Sequence, residues 1–258
     1  MSVSRAISEQ LQRSSWIRKM FEEGNRLKAE RGARNVFDFS LGNPEVEPPE
    51  AVLAAARRVL APDRTGAHAY MPNAGFPEVR GAMARRMAAA TGLPFTAGNI
   101  VMTVGAGGAL NALFKAVLEP GDEVIALAPY FVEYGSYVAN HGGRLAVADT
   151  RPDFQIDLAK IDAALTPRTR AILLNSPNNP TGAIYPADAY RDLQALLARA
   201  GRRILVVSDE PYKALTFDGA RPPEIQQHVV DAVVVTSWSK ALAIPGERIG
   251  MIAISPRI

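Results

Sequence analysis

The sequence predicts an α/β fold built on a mainly parallel (mixed) sheet that is sandwiched between helices. The first observation is a series of short apolar segments rich in Val and Ile, which indicate buried strands at 100–104, 123–127, 144–148, 169–174, 203–208, 232–237 and 249–254. The second is that helical patterns fit between several of these segments, at 109–118, 132–140, 158–165 and 187–200. Strands that alternate with helices favour parallel pairing and a sheet covered on both faces.

The chain ahead of these strands is predicted to be mostly helical. Apolar residues recur at helical spacing over 4–31, and Gly32 is placed to end that helix. The other elements of this part are a short strand and two helices, predicted at 36–39, 48–60 and 76–90. Only residues 1–45 look separate from the sheet, so we expect the sheet domain to occupy 46–258.

The composition is that of an ordinary globular protein. The 258 residues are 48% hydrophobic and 21% charged, with a formal net charge of +3. No block of basic residues is present, so we expect no nucleic-acid partner. Cysteine is absent and no histidine pair has ligand spacing, so we expect no disulfide and no metal site. Because no apolar run approaches the length of a membrane span, we expect a soluble, cytoplasmic protein without a membrane partner.

Chemically reactive groups follow the strand predicted at 232–237. Ser237, Ser239 and Lys240 lie at its end, and Arg248 comes shortly afterwards. In α/β sheets, ligands bind at the carboxyl ends of the strands. A lysine that is desolvated there can lose its proton near neutral pH and form a Schiff base. A solvated basic loop would explain this stretch equally well when it is considered alone.

Three other strand ends carry groups that could belong to the same site. The glycine-rich turn at 103–110 offers backbone amides to an anion at the start of a helix, although an ordinary tight turn would have the same sequence. The loop at 175–182 is rich in Asn and Pro, which turn formation could also explain. After the strand at 203–208 comes Asp209, a carboxylate that needs a cationic partner, either a ligand or a structural arginine, if it is buried.

Together these groups fit one small molecule, pyridoxal phosphate. Its aldehyde would react with Lys240, and its ring nitrogen would face Asp209. Its phenolic oxygen would bind Asn179 and Tyr212. Its phosphate would take the remaining donors, which are the glycine-rich turn, Ser237, Ser239 and Arg248.

The sequence therefore resembles the class I/II aminotransferases, fold-type I pyridoxal-phosphate enzymes similar to aspartate aminotransferase. The lysine-attachment signature of that family is matched, in order and spacing, by Ser237, Ser239, Lys240, Arg248 and Gly250. Three further motifs of the family are matched at 42–44, 178–182 and 209–212. The resemblance covers essentially the whole chain.

The resemblance implies a cofactor, pyridoxal phosphate, and a role for each matching residue. Lys240 would form the Schiff base and move the substrate proton, and Asp209 would keep the ring nitrogen protonated. Tyr212, with Asn179, would bind the ring hydroxyl, which makes Lys240, Asp209 and Tyr212 the expected catalytic residues. The implied phosphate ligands are Ser237, Ser239, Arg248 and the amides of Gly105, Ala106 and Gly107.

Other implied roles concern the ring face, the substrate and a second subunit. Phe131 takes the place of the aromatic residue that stacks on the ring, with Tyr130 as the alternative, and a position in the core would also suit either. Tyr70 resembles a tyrosine that reaches the phosphate in the partner subunit, so the resemblance implies a homodimer; it could also be a surface loop residue. Gly42 and Asn179 would contact the substrate.

Family members continue beyond the position of Ile258 into a segment that completes a small domain and supplies the arginine for the substrate α-carboxylate. We therefore expect a C-terminally truncated member of the family. Residues 1–45 would be the N-terminal arm of the small domain, and 46–258 would be an incomplete large domain that binds the cofactor. The cofactor site would then be complete, and the substrate site only partly present.

The expected function is that of an aminotransferase of amino acid metabolism, which moves an amino group between an amino acid and a 2-oxo acid in a ping-pong cycle through Lys240. Two alternatives stay open: a C–S β-lyase on the same scaffold, and an inactive fragment that only binds the cofactor. The particular amino acid is also open. The glycine-rich turn carries no side chain for a distal carboxylate, which slightly disfavours an acidic substrate.

Overall fold

The computed structural model describes residues 3–4, 7–8, 15–38, 42–60 and 69–258, with the backbone alone at 15–18. The chain forms two compact units, Met1–Glu45 and Val46–Ile258. The first contains helix α1 (Ser15–Arg31), and the second contains the sheet.

In the first unit, α1 is followed by a short 3-10 turn, Ala33–Asn35. Residues 9–14 of the predicted first helix lie outside the described residues. The strand predicted at 36–39 is wrong for 36–38, and Phe39 lies outside the described residues. The physical reason is local: the Val36 amide donates back to the turn, and Asp38 pairs with Lys28 of α1 at 2.7 Å, so this segment follows the helix.

The second unit is organised around a seven-stranded mixed sheet, as predicted. Its strands are β1 (Ile100–Val104), β2 (Glu123–Ala128), β3 (Arg144–Asp149), β4 (Thr169–Asn175), β5 (Leu205–Asp209), β6 (Ala232–Ser237) and β7 (Ile249–Ile254). The order across the sheet is β1-β7-β6-β5-β4-β2-β3. Neighbours from β6 to β3 are parallel, whereas β7 is antiparallel to both β6 and β1.

Helices cover both faces of this sheet. Helix α2 (Glu50–Val59) has no buried residue, and the helices that cover the sheet are α3 (Pro77–Thr91), α4 (Gly105–Val117), α5 (Tyr134–Ala139), α6 (Leu158–Ala164), α7 (Ala187–Ala198) and α8 (Ile225–His228). One apolar core lies between the sheet and α3, α6, α7 and α8, and the other lies between the sheet and α4 and α5. Helix α4 begins four residues earlier than predicted, directly at the end of β1, and the short α8 was not predicted. None of the described helices is long and apolar enough to cross a bilayer.

The strand directions bring one set of residues to one edge of the sheet. Parallel pairing aligns the ends of β4, β5 and β6, so that Asn175 is opposite Asp209 and Asp209 is opposite Val235. Strand β7 runs the other way, so its first residues lie at the same edge, with Gly250 opposite both Thr103 and Ser237. The residues that precede β7 and those that follow the parallel strands therefore converge.

Candidate active site

A cavity of about 190 Å³ opens at this edge of the sheet. Its wall includes most of the residues that the sequence predicts for a cofactor site, although they come from five separate stretches of the chain. The predicted residues that line it are Ala106, Gly107, Phe131, Asn179, Asp209, Tyr212, Ser237, Ser239, Lys240 and Arg248. The structure therefore brings these side chains and backbone groups together around one space.

Asp209 is the most unusual group in this wall. It is 5% exposed, and Tyr134 donates a hydrogen bond from its hydroxyl to Oδ2 at 2.6 Å. The other oxygen, Oδ1, is buried and has no hydrogen-bond partner among the described residues. Burial raises the pKa of Asp209 from its ordinary value of 3.8 to about 7, and the Tyr134 hydrogen bond opposes this shift. An unpaired buried carboxylate oxygen needs a hydrogen-bond donor or a cation, and none of the described residues supplies one.

The backbone around Asp209 is held by Asn175, which comes at the end of β4. Its amide nitrogen donates to the Asp209 carbonyl at 2.8 Å, and its Oδ1 accepts from the Asn179 backbone amide at 2.6 Å. Asn175 thus ties the polar loop after β4 to the end of β5. The Asn179 side chain reaches the Tyr212 hydroxyl at 3.4 Å, so the two side chains predicted to bind one phenolic oxygen lie next to each other.

Lys240 lies in the turn that follows β6. The Lys240 carbonyl accepts from the Ala243 amide at 3.3 Å, and nearby Trp238 donates its amide to Ile249 at 3.2 Å, which fixes the turn against β7. Burial lowers the pKa of the Lys240 ammonium, and the positive charge of Arg248 lowers it further. A lysine with a lowered pKa is a better nucleophile near neutral pH, since more of it is unprotonated.

One end of the cavity is built to receive an anion. Gly105 opens α4 with φ of +68°, and a Cβ placed there would lie 2.9 Å from Nη2 of Arg248. A Cβ on Gly250 would come within 2.5 Å of the Gly105 backbone. Both positions need glycine because the guanidinium and two backbone segments meet here. The amides at the start of α4, two buried serines and Arg248 form a set of donors of the kind that binds phosphate.

Some predicted residues lie elsewhere. Tyr70 is fully exposed and outside the cavity wall, and Gly42 belongs to the first unit, so the roles predicted for them stay predictions. Phe131 lines the cavity with its ring edge-on to Tyr134, at 5.7 Å between centroids. Tyr130 stacks on Tyr134 at 6.4 Å and is not part of the wall, which favours Phe131 for the ring-facing position.

Two tyrosines in the wall, Tyr134 and Tyr137, were missed by the sequence analysis. Both lie on α5, one turn apart, and Tyr134 comes three residues after Phe131. That spacing was the available signal, because residues three apart face the same side of a helical turn. The signal was hidden because the aromatic residues of this stretch also fit a buried core, and Tyr134 is indeed 1% exposed.

The described residues contain no group of His, Cys, Asp and Glu that could hold a metal ion. Two of the three histidines are described and neither lines the cavity: His141 contacts Asn111 at 3.2 Å, and His228 stacks on Tyr190 at 6.4 Å. His68 lies outside the described residues. The chemistry of the cavity thus comes from a lysine, an arginine, a carboxylate and hydrogen-bond donors.

This fold and this site define a class of protein. The family model of aminotransferase class I and II matches residues 34–258, which is most of the chain. The chain therefore belongs to the class I and II aminotransferases, a family that depends on pyridoxal phosphate.

Individual relatives support the same assignment. The aspartate/prephenate aminotransferase of Thermus thermophilus is 38% identical over 226 residues, which cover 87% of this chain and 57% of that protein. The aspartate aminotransferase of Geobacillus stearothermophilus is 33% identical over 241 residues, covering 90% of this chain and 59% of that protein. The chain thus spans less than two thirds of the length of these relatives.

Solved structures agree with the observed fold. An amino transferase from Eubacterium rectale superposes with a TM-score of 0.94 and 34% identity, covering 100% of this chain and 67% of that one. The aspartate aminotransferase of Thermus thermophilus with maleate gives a TM-score of 0.86 and 35% identity, covering 98% of this chain and 65% of that one. The mixed sheet and its helices are therefore those of the aspartate aminotransferase fold.

Proposed function

We propose that this chain binds pyridoxal phosphate covalently through Lys240 and that, within the whole protein, it moves an amino group between an amino acid and a 2-oxo acid. The observation that carries the proposal is the unpaired Oδ1 of Asp209 in the same cavity as Lys240. A buried carboxylate and a lysine of lowered pKa are a pair that this cofactor requires, because it has both a basic ring nitrogen and an aldehyde.

The residues of the cavity fit each part of this cofactor. Oδ1 of Asp209 would accept a hydrogen bond from the protonated ring nitrogen, which would give the buried carboxylate a cationic partner. The start of α4 and Arg248 would hold the phosphate, at a place where glycines keep the backbone open. Asn179 and Tyr212 would bind the ring hydroxyl, and their mutual contact at 3.4 Å supports a shared oxygen.

In the reaction, the chain holds and moves protons at defined atoms. Pyridoxal phosphate, when bound, withdraws electrons from the substrate α-carbon and so makes its proton acidic. Asp209 would keep a proton on the ring nitrogen of the cofactor, while Tyr134 holds the carboxylate by its other oxygen. Lys240, with its lowered pKa, would take the α-proton as a base and, as an acid, would pass it to the cofactor. Phe131 contributes an apolar surface to the wall of the cavity.

The proposal extends to a homodimer and to transamination in preference to the other chemistries. The relatives with 33 to 38% identity are named as aminotransferases, and this supports transamination over a lyase or an inactive fragment. Tyr70 is fully exposed, as expected of a side chain that would reach the phosphate of a second copy. The proposed substrates are an amino acid and a 2-oxo acid.

The assignment of Lys240 is tested by trapping the cofactor. The protein is incubated with pyridoxal phosphate, reduced with borohydride and digested, and the modified peptide is identified by mass spectrometry. We expect one modified lysine, Lys240, in the wild type and in the control Lys160→Ala, which alters an exposed lysine. Lys240→Ala should yield no adduct. A specific adduct of equal yield in Lys240→Ala would overturn the assignment.

The reaction type is tested separately on the full-length protein. We expect an amino acid to be converted to its 2-oxo acid only when an amino acceptor is supplied, since the amino group remains on the protein until the second substrate removes it. Release of ammonia and pyruvate from a cysteine-type substrate without an acceptor would instead identify a β-lyase.

A further inference from the structure

Helix α5 brings a second tyrosine, Tyr137, to the wall of the candidate site. It lies one turn after Tyr134 and lines the cavity together with Ala106, Gly107 and Arg248. Tyr134 is occupied by Asp209, but no part of the proposed function uses Tyr137. Its position at the anion-binding end raises the question of what its hydroxyl binds.

The tip of Tyr137 lies directly against the first turn of α4. A Cβ placed on Gly107 would come to 2.9 Å from the Tyr137 hydroxyl oxygen and 3.4 Å from Cζ. On the other side of the same turn, a Cβ on Gly105 would come to 2.9 Å from Nη2 of Arg248. The backbone amides at the start of α4 are therefore flanked by a phenol and a guanidinium, and both approach the backbone where a side chain is missing.

The Tyr137 hydroxyl is available to a ligand. It makes no hydrogen bond to any residue in the described parts of the chain, and the residue is only half-buried. Burial raises the pKa of Tyr137, and the charges of Glu133 and Asp209 raise it further, against a smaller opposite effect of Arg248. The phenol thus keeps its proton at neutral pH and can donate it to an anion, whereas a phenolate would repel one.

We propose that the Tyr137 hydroxyl donates a hydrogen bond to the phosphate of the bound cofactor, beside the α4 amides and Arg248. This inference rests on the proposed function, because it takes the cavity to be the pyridoxal-phosphate site. It adds a phosphate-binding residue that comes from a helix outside the glycine-rich turn and outside the lysine-attachment signature. Gly107 is then required because any side chain there would push the hydroxyl away from the turn.

Loss of the Tyr137 hydroxyl is expected to weaken only the binding of the phosphate group. A hydrogen bond to a charged group contributes enough that its loss in Tyr137→Phe should raise the Kd for pyridoxal phosphate about tenfold or more. Pyridoxal, which has the same ring and aldehyde but no phosphate, should bind the variant and the wild type equally well. A residue with a merely structural role would alter both affinities together.

The experiment measures both Kd values by absorbance titration of the cofactor-free protein. The variants are Tyr137→Phe and a matched control, Tyr185→Phe, which removes a tyrosine hydroxyl from the buried core of the same unit. The inference predicts that only Tyr137→Phe reduces the preference for pyridoxal phosphate over pyridoxal. An unchanged preference, or an equal loss for both ligands, would overturn it. Failure of the wild type to bind either ligand would instead overturn the proposed function and this inference with it.

Discussion

Two neighbouring carboxylates, Asp209 and Glu210, are both buried at the end of β5 and yet have opposite surroundings. Glu210 is 4% exposed, and both of its oxygens are paired: Ser208 donates to Oε1 at 2.8 Å and Lys213 donates to Oε2 at 2.7 Å. Asp209 is 5% exposed and has one paired oxygen, while the other is unpaired within the described residues. The two side chains line different cavities: Glu210 lines one of about 560 Å³, and Asp209 lines the candidate site of about 190 Å³.

The difference separates a structural carboxylate from a binding one. Burial raises the pKa of both groups, but Lys213 opposes this shift at Glu210, and Lys213 also pairs with Glu224 at 2.7 Å. The charge of Glu210 is thus balanced within the chain. Lys213, which balances it, also connects the loop after β5 to Glu224. At Asp209 only a neutral phenol opposes the shift. No described residue balances its charge, so a bound cation is the partner that this site calls for.

The largest effect on stability is expected when the balanced carboxylate is removed. Glu210→Ala leaves the ammonium of Lys213 without one of its two partners and the hydroxyl of Ser208 without its acceptor. Breaking a buried ion pair in this way should lower the free energy of unfolding by about 3–5 kcal/mol. Urea unfolding at pH 7 measures this, with Glu224→Ala as the control that leaves the inner pair intact and should be milder. A loss of under about 1 kcal/mol in Glu210→Ala would contradict a structural role.

Removing the charge of Asp209 is expected to increase the stability of the cofactor-free protein, whereas removing Glu210 decreases it. The folded-state pKa of Asp209 lies above its ordinary value, so between about pH 4 and pH 7 the folded protein retains a proton that the unfolded chain releases. Stability without cofactor should therefore fall as pH rises through this window, by on the order of 4 kcal/mol in total. Asp209→Asn removes this pH-dependent loss of stability but buries an unpaired amide. The net result should be a free energy of unfolding that is higher by on the order of 2 kcal/mol at pH 8.

Urea unfolding from pH 4 to pH 8, without and with pyridoxal phosphate, checks this prediction. The stability of the variant should depend less on pH than that of the wild type. The cofactor should also stabilise the variant less, because the ring nitrogen of the cofactor would lack a counter-charge. If Asp209→Asn is less stable than the wild type at pH 8 without cofactor, the unpaired carboxylate is not a source of instability.

The smallest of the three effects is expected at Tyr134. Among the described residues, Tyr134 is the side-chain donor to Asp209. Tyr134→Phe removes it and should raise the pKa of Asp209 further, because that hydrogen bond stabilises the charged form. The free energy of unfolding should fall by about 1.5 kcal/mol at pH 8 and by less at pH 4, where the folded protein already carries the proton. The same pH series measures it, and an equal loss at both pH values would argue for simple loss of packing.

Much of the fold and of the candidate site could be predicted because its signals are local. Runs of Val and Ile indicate strands, and β1, β6 and β7 have the predicted bounds. Lysine, serine and glycine directly after such runs indicate groups at strand ends, which is how Lys240 was found. The strand predicted at 36–39 is wrong for 36–38, because Val36 and Phe37 suit a strand but a strand also needs a neighbour, which no short pattern reveals.

The sequence by itself determined that Asp209 and Glu210 follow a strand, because an apolar run rich in Val ends just before them. Only the tertiary structure decided that the two side chains face different cavities and that Asp209 faces the site. Helix α5 packs on the face of Asp209 and supplies Tyr134, while Lys213 neutralises Glu210 on the other side. The antiparallel entry of β7 between β1 and β6 likewise brings Arg248 to this edge. An apolar run and the polar residues that follow it are local features of the sequence, whereas strand order and helix packing depend on contacts between distant parts of the chain.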